Sequence, residues 1–160
     1  MNTKELVALE RRMQLLEDIE AIKDLKARYA AVCDDKYNPE KAVKLFTEDG
    51  VWDGGKDFGV HKGRAAIKEF FQEVSKNIVF AVHYFVQPTI KVSKNGETAQ
   101  GKWYLWQACT LKGVGAVWIA GLEYDKYRKV KGAWLMSEMK LKLFIMSPYE
   151  KGWGKVRILK

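Results

Sequence analysis

Three glycine turns divide the second half of this chain, and they constrain its fold more than any other feature. Asn95-Gly96, Lys112-Gly113 and Lys131-Gly132 are turn dipeptides, the first a strong hairpin signal. They separate residues 78–92, 101–111, 114–130 and 133–146, which are rich in β-branched and aromatic residues on alternating faces. That spacing predicts a four-strand antiparallel meander. Pro88 interrupts the first strand and predicts a bulge or a sheet edge there, because proline cannot donate to a ladder.

The first half has a helical period. Leu6, Leu9, Met13 and Leu16 recur at three- and four-residue steps over residues 4–17, with Thr3 as the expected N-cap and Leu15 off the stripe. This leader is short for a coiled coil, so it is expected to pack on the body or on a neighbouring subunit. The period continues through Ile19, Ile22, Leu25, Tyr29 and Val32 and stops at Asp34-Asp35, ahead of Asn38-Pro39. A short helix over 39–46, a short strand holding Val51 and Trp52, a flexible loop over 53–59 and a third helix opening at Gly63-Arg64 follow. On that third helix Ile67, Phe70, Phe71 and Val74 share a face. Helices followed by a meander make an α+β fold, one curved sheet with helices on one side. The 160 residues suit a single domain, a helical leader (1–17) and a tail (148–160) included. The curved sheet and its helices are expected to enclose an apolar pocket.

Charge narrows the partners. The net charge is +8, yet residues 1–125 carry 18 basic and 18 acidic side chains, while residues 126–160 carry 10 and 2. The excess sits in the last strand and the tail. No nucleic-acid-binding signature accompanies it, and no nucleic acid is expected as a partner. No apolar run is long enough to span a bilayer and the opening residues are charged, so neither membrane nor signal peptide is expected. Cys33 and Cys109 have no metal or redox spacing and read as free thiols of a cytoplasmic protein. Phosphate-cradling and dinucleotide glycine motifs, metal-ligand spacings and a Gly-x-Ser-x-Gly elbow are all missing. What remains is acid/base chemistry without metal or cofactor.

Two residues suit that chemistry. His83 shares a strand face with Ala81 and Phe85, opposite Val82, Tyr84 and Val86; with both faces apolar, the strand is expected to be buried on both sides. A lone histidine there is either a satisfied core residue or a base. His61, in a glycine-flanked loop, is expected to face solvent. Asp34 ends the first helix on one face with Ala27, Ala30 and Ala31, small residues that leave room beside a carboxylate; its alternative is a solvated helix-end aspartate. An aspartate accepting from one imidazole nitrogen fixes the tautomer and frees the other nitrogen for a proton. Tyr29 lies about 140° round an ideal helix from Asp34 and can approach a ligand from another side. Among the six tryptophans, Trp52, Trp103 and Trp118 are candidate walls for a flat apolar ligand. Trp103 and Trp106 point to opposite faces of their strand. Gln107, in phase with Trp103 and Leu105, is a candidate polar pocket group; Glu123 is in phase with Gly121 and Asp125, on a face left open.

Taken together, several segments resemble the SnoaL-like branch of the nuclear-transport-factor-2-like superfamily over roughly residues 4–147. They are residues 18–26, Tyr29 with Asp34, Phe46-Thr47-Glu48-Asp49-Gly50, Gly63-Arg64, His83-Tyr84, residues 101–105, Tyr124-Asp125-Lys126-Tyr127 and Gly132-Ala133-Trp134. Within that branch the likeness is to bile-acid 7α-dehydratases, with hexachlorocyclohexane dehydrochlorinase and scytalone dehydratase as relatives. The resemblance implies a cone-shaped α+β barrel, a homodimer or homotrimer, and a lyase with an Asp–His pair. It makes His83 the base, Asp34 its orienting partner and Tyr29 a hydrogen-bonding or acid group. Gln107 stands where the bile-acid enzymes have a further aspartate, and Lys142 is nearest to their late arginine.

The expectation is therefore a cofactor-independent lyase, a dehydratase or other elimination enzyme, acting on an apolar aromatic or polycyclic small molecule. Isomerisation, ring closure or loss of a small fragment would use the same pair. The alternative of another class is a non-catalytic binding or dimerising module of the same fold.

Overall fold

The computed structural model describes residues 2–159. It opens on one continuous helix, α1 (Thr3–Asp34). Its N-cap is Asn2, one residue before the expected Thr3: the Asn2 side chain accepts from Glu5 N, and the Glu5 carboxylate accepts from Asn2 N, a reciprocal capping box that satisfies two otherwise orphaned donors. Only the second half of α1 packs on the body, through Ile22, Leu25, Tyr29, Val32 and Cys33. The leader stripe stays largely exposed, Leu16 at 64%, so nothing among the described residues covers it.

The next elements are α2 (Pro39–Ala42), a 3-10 turn (Val43–Leu45), β1 (Phe46–Asp53), α3 (Gly55–Phe58), β2 (Val60–Lys62) and α4 (Gly63–Asn77). The expected helix over 39–46 thus ends early and tightens. The expected loop over 53–59 is instead ordered into one helical turn. Asp53 Oδ1 accepts from Gly55 N at 2.8 Å, and Gly55 and Gly59 take positive φ at its two ends, which glycine does at no steric cost. This turn docks Phe58 edge-on to Trp52, 6.2 Å between ring centroids. His61 is therefore not a solvent-facing loop residue. It lies on β2, half-buried and stacked on Phe70 at 4.1 Å, with Nε2 2.9 Å from the Phe58 carbonyl oxygen.

The meander comprises β3 (Ile78–Val92), β4 (Thr98–Leu111), β5 (Gly115–Val130) and β6 (Ala133–Pro148). The turn before β6 puts Lys131 at φ 51° and Gly132 at φ 81°, the pair of left-handed residues that matches strand twist in a two-residue hairpin. β1 adds to β6 in parallel, and the six strands run in the order β2-β1-β6-β5-β4-β3. The sheet curves but does not close, leaving β2 and β3 as edges. The expected curved sheet packed on N-terminal helices is present as an open cone. One expectation is corrected: the outer face of β3 is not buried, since Phe80, Tyr84 and Val86 are exposed. Pro88 sits at a break in the β3–β4 register between Val86 and Thr89, beside Gln87 at φ 52°.

The core lies between the inner sheet face and the helices α1 and α4, with Ile22, Leu25, Phe46, Ile67, Phe71, Met136 and Met139 at its centre. On the outer face Trp106 meets Trp118 at 5.3 Å and Trp153 at 5.9 Å. The tail folds back after α5 (Gly152–Lys155) and bridges Ile158 to Met146. Among the described residues, no helix is long and apolar enough to cross a membrane.

Candidate functional site

The end of α1 lies against β3, and this brings together two residues 49 positions apart. His83 Nδ1 is 2.7 Å from Asp34 Oδ1, and the same oxygen accepts from the His83 backbone N–H at 3.0 Å. Asp34 stands behind the ring, one third exposed, while the His83 side chain is 5% exposed. A carboxylate on Nδ1 holds that nitrogen as the donor and leaves Nε2 as the acceptor.

Nε2 faces Tyr37, a residue that no sequence motif singles out. Tyr37 Oη lies 3.0 Å from His83 Nε2 and accepts from Gln107 Nε2 at 2.9 Å. With the amide donating to it, the phenol directs its own proton at the histidine. Burial pushes the Tyr37 phenol well above its ordinary value, so the proton stays on it at neutral pH. Tyr37 reaches this position because Lys36 and Tyr37 both adopt left-handed backbone, φ 54° and 53°, in the stretch between α1 and α2. Each such residue costs on the order of 1 kcal/mol or more, and no glycine there signals the turn. The one sequence cue is an aromatic residue three positions past Asp34, just before Asn38-Pro39.

The four groups form a chain, Asp34–His83–Tyr37–Gln107, on one side of a cavity. Its other walls are Tyr29, Trp52, Phe58, Phe70, Phe71 and Glu123. Trp52 Nε1 donates to Tyr29 Oη at 2.9 Å and orients that phenol, which burial also pushes well up. Burial likewise raises the Cys33 thiol, keeping this cavity-wall sulfur protonated and unreactive. The free space is about 50 Å³, room for a few waters.

Trp103, Trp118 and Lys142 do not line this cavity. Trp103 points inward but sits beyond the cavity, donating Nε1 to Tyr127 Oη at 2.9 Å. Trp118 points outward, onto Trp106. Lys142 is exposed opposite Leu122, whereas its neighbour Leu141, opposite Glu123, faces the cavity. β5 keeps its odd residues inward from Val117 to Tyr127, whereas the register breaks at Ala120/Gly121 and Lys126/Tyr127 each leave an extra residue on β6 and change its inward phase.

Behind Glu123 lies a second polar group. Lys26 donates to Glu123 Oε2 and, at 2.8 Å, to Asp125 Oδ2; Tyr127 Oη donates to the same Asp125 oxygen at 2.6 Å. All four side chains are buried. Burial pushes the Glu123 carboxyl up, to about 7, against the pull of Lys26 and with the push of Asp125. Burial lowers Lys26, but Asp125 and Glu123 outweigh it and hold its ammonium above the ordinary value. Among the described residues, no group of three or more His, Cys, Asp or Glu side chains is arranged to hold a metal ion.

Comparison with known proteins gives a consistent frame. The model of a SnoaL-like domain matches residues 14–140. A crystal structure from Novosphingobium aromaticivorans, named as a candidate aromatic ring hydroxylase, is 28% identical, with a TM-score of 0.76 over 82% of this chain and 93% of that one. A second from the same organism, named as a candidate scytalone dehydratase, is 20% identical, TM-score 0.78, over 86% and 91%. The hexachlorocyclohexane dehydrochlorinase LinA-type3 of Novosphingobium barchaimii is 17% identical, TM-score 0.77, over 86% and 93%. The last two likenesses establish shared architecture.

Proposed function

This chain belongs to the SnoaL-like family, and from that premise and the cavity's geometry we propose that it is a cofactor-independent lyase of the dehydratase or elimination type. The observation that carries the reading is the 2.7 Å contact between His83 Nδ1 and Asp34 Oδ1. His83 is the base. Asp34 holds the tautomer and stabilises the imidazolium that forms. Tyr37 stands on the accepting nitrogen, so the substrate's proton travels through its hydroxyl: the phenol passes its own proton to Nε2 and takes the substrate's. Gln107 keeps the phenol aimed. Tyr29, held by Trp52, hydrogen-bonds the substrate from the adjoining wall. The dehydratase and dehydrochlorinase names among the structural neighbours support elimination. An aromatic ring in the name of the 28% identical neighbour, with Trp52, Phe58 and Phe70 in the wall, supports a ring-bearing substrate. The free space of about 50 Å³ is smaller than the ~150 Å³ that holds benzene in an engineered cavity. It favours one ring over a polycycle, with the single turn α3 and its Phe58 giving way.

One observation favours the rival reading of a binding module. Both ring nitrogens of His83 have partners inside the protein, as in a satisfied core histidine. His83→Ala separates the two. A lyase loses turnover by about 10²–10⁴-fold and keeps ligand binding; full activity in that variant refutes the lyase reading.

A further inference from the structure

The Lys26–Glu123–Asp125 group has no part in the mechanism above. Its charges do not balance: two carboxylates meet one ammonium, all buried, with side-chain exposures of 1%, 3% and 0% for Lys26, Glu123 and Asp125. A lone uncompensated charge in such a place is costly, and the usual remedy is to take up a proton. Of the two carboxylates, Asp125 takes both Lys26 and Tyr127 on Oδ2, has no partner on its buried Oδ1 among the described residues, and lies off the cavity. Glu123 engages Lys26 through Oε2, has no donor to Oε1 among the described residues, and lines the cavity shared with His83. The titratable groups around it are Lys26, Tyr29 and Cys33 from α1 and Asp125 and Tyr127 from β5. Only Lys26 opposes protonation.

The two polar ends are separated by one ring of wall. Phe85 stands 6.0 Å from the His83 ring and 4.3 Å from Lys26 Nζ. His83 heads the row His83–Gln107–Ile119, and Glu123 lies four residues further along β5.

We propose that Glu123, held by Lys26, is the acid end of the cavity and gives its proton to a leaving hydroxyl one ring away from the proton taken by His83. This rests on the lyase reading and names its substrate class: a phenol bearing a hydroxyl on the carbon attached para to the phenolic oxygen. The relay through Tyr37 suits a proton on oxygen. The phenol O–H proton passes to Tyr37 and the Tyr37 proton to His83 Nε2. The phenolic oxygen's electron pair becomes a C=O bond, the ring double bonds shift, and an exocyclic C=C forms. The benzylic C–O bond breaks with its electron pair on oxygen, which takes the Glu123 proton and departs as water. Solvent returns the proton from the imidazolium to the carboxylate. Addition of water to the quinone methide reverses the sequence, so the hydroxyl exchanges with solvent.

The probe is 4-(1-hydroxyethyl)phenol in oxygen-18 water, followed by mass spectrometry, with infrared spectra of the same proteins across pH 5–9. Wild type is expected to exchange its benzylic oxygen, and Glu123→Gln, which keeps the size and the acceptor for Lys26, to lose about 10²–10⁴-fold in that rate. The non-leaving analogue 4-ethylphenol should bind both alike, by quenching of tryptophan fluorescence. A protonated-carboxyl band should be present near neutral pH in wild type and His83→Ala, and absent in Glu123→Gln. Exchange in Glu123→Gln close to wild type, or a missing carboxyl band, overturns the role of Glu123 and leaves the lyase reading standing. Undiminished exchange in His83→Ala overturns the lyase reading itself. No exchange by wild type overturns the substrate class.

Discussion

Glu123 makes stability depend on pH on the acid side of neutrality. Its carboxyl rises from 4.5 to about 7 on folding, so between those values the folded chain binds a proton that the unfolded chain has released. Stability falls as pH rises wherever the native state holds more protons. A tenfold change in proton affinity is worth about 1.36 kcal/mol, so the full span amounts to roughly 3 kcal/mol, a large share of the ~5–15 kcal/mol that a domain has. The carboxylates held below their ordinary values, Asp18, Asp49 and Asp53 among them, act in the opposite sense. Their contribution is present above about pH 4 and is lost below it. Lys26 loses its share only above its ordinary 10.5. Urea unfolding at pH 5, 6, 7 and 8 isolates the effect. Wild type should lose most of that ~3 kcal/mol between pH 5 and 8 relative to Glu123→Gln. The variant cannot ionise and leaves Lys26 paired with Asp125 alone, so above pH 7 it should be at least as stable as wild type. Parallel stability curves for the two proteins would refute the reasoning, because they would mean that Glu123 is ionised in the fold throughout.

The remaining expectations concern the histidine chain and the surface. Asp34→Asn should cut turnover by about 10²–10⁴-fold; undiminished turnover would dissolve the pair. Tyr37→Phe leaves Gln107 and His83 Nε2 without their partner, at a cost of about 1–3 kcal/mol in urea unfolding, and should slow turnover more than it weakens binding; unchanged turnover would remove the relay. Lys142→Met should leave turnover unchanged, because that side chain is on the outer face. We also expect a homodimer or homotrimer, with a second copy covering the exposed apolar residues of the leader and the outer sheet face; a sedimentation run giving a single 18.4 kDa species would refute that.

Much of the fold was legible because its signals are local. Turn glycines and alternation marked the four long strands, and a helical period carried α1 to Asp34. The parallel pairing of β1 with β6 was not legible, since it joins segments about 90 positions apart and leaves no local trace. At the site, His83 and Asp34 stood out as a histidine on an apolar strand and a carboxylate at a helix end. Tyr37 did not, because its placement depends on two left-handed residues with none of the usual glycine or asparagine. Trp118 was misplaced because its residue type alone sets no face, and its even position on β5 turns it away from the inward odd residues; Lys142 was expected only through the resemblance and lies between the inward Leu141 and Leu143. The meaning of Glu123 could not be read either, since its partner Lys26 lies 97 residues earlier on a helix where a lysine ordinarily faces water.

The position of Asp34 ties fold and chemistry to one oxygen atom. β3 is an edge strand, and an edge strand exposes backbone donors that invite pairing with other chains. Asp34 Oδ1 takes the His83 N–H, one such donor, and the His83 ring as well. The same contact therefore closes part of the edge, joins the end of α1 to the sheet and sets the imidazole's tautomer. Such sharing explains how a partly exposed helix end can position a buried ring: the backbone bond fixes where the carboxylate stands, and the ring bond uses that fixed point. Asparagine at this position keeps an acceptor oxygen for the backbone but loses the charge that stabilises an imidazolium. Alanine loses both. If the two roles are distinct, Asp34→Asn retains most of the stability that Asp34→Ala loses, while both lose turnover alike. If the carboxylate serves only the strand edge, turnover follows stability in the two variants, and His83 has no orienting partner.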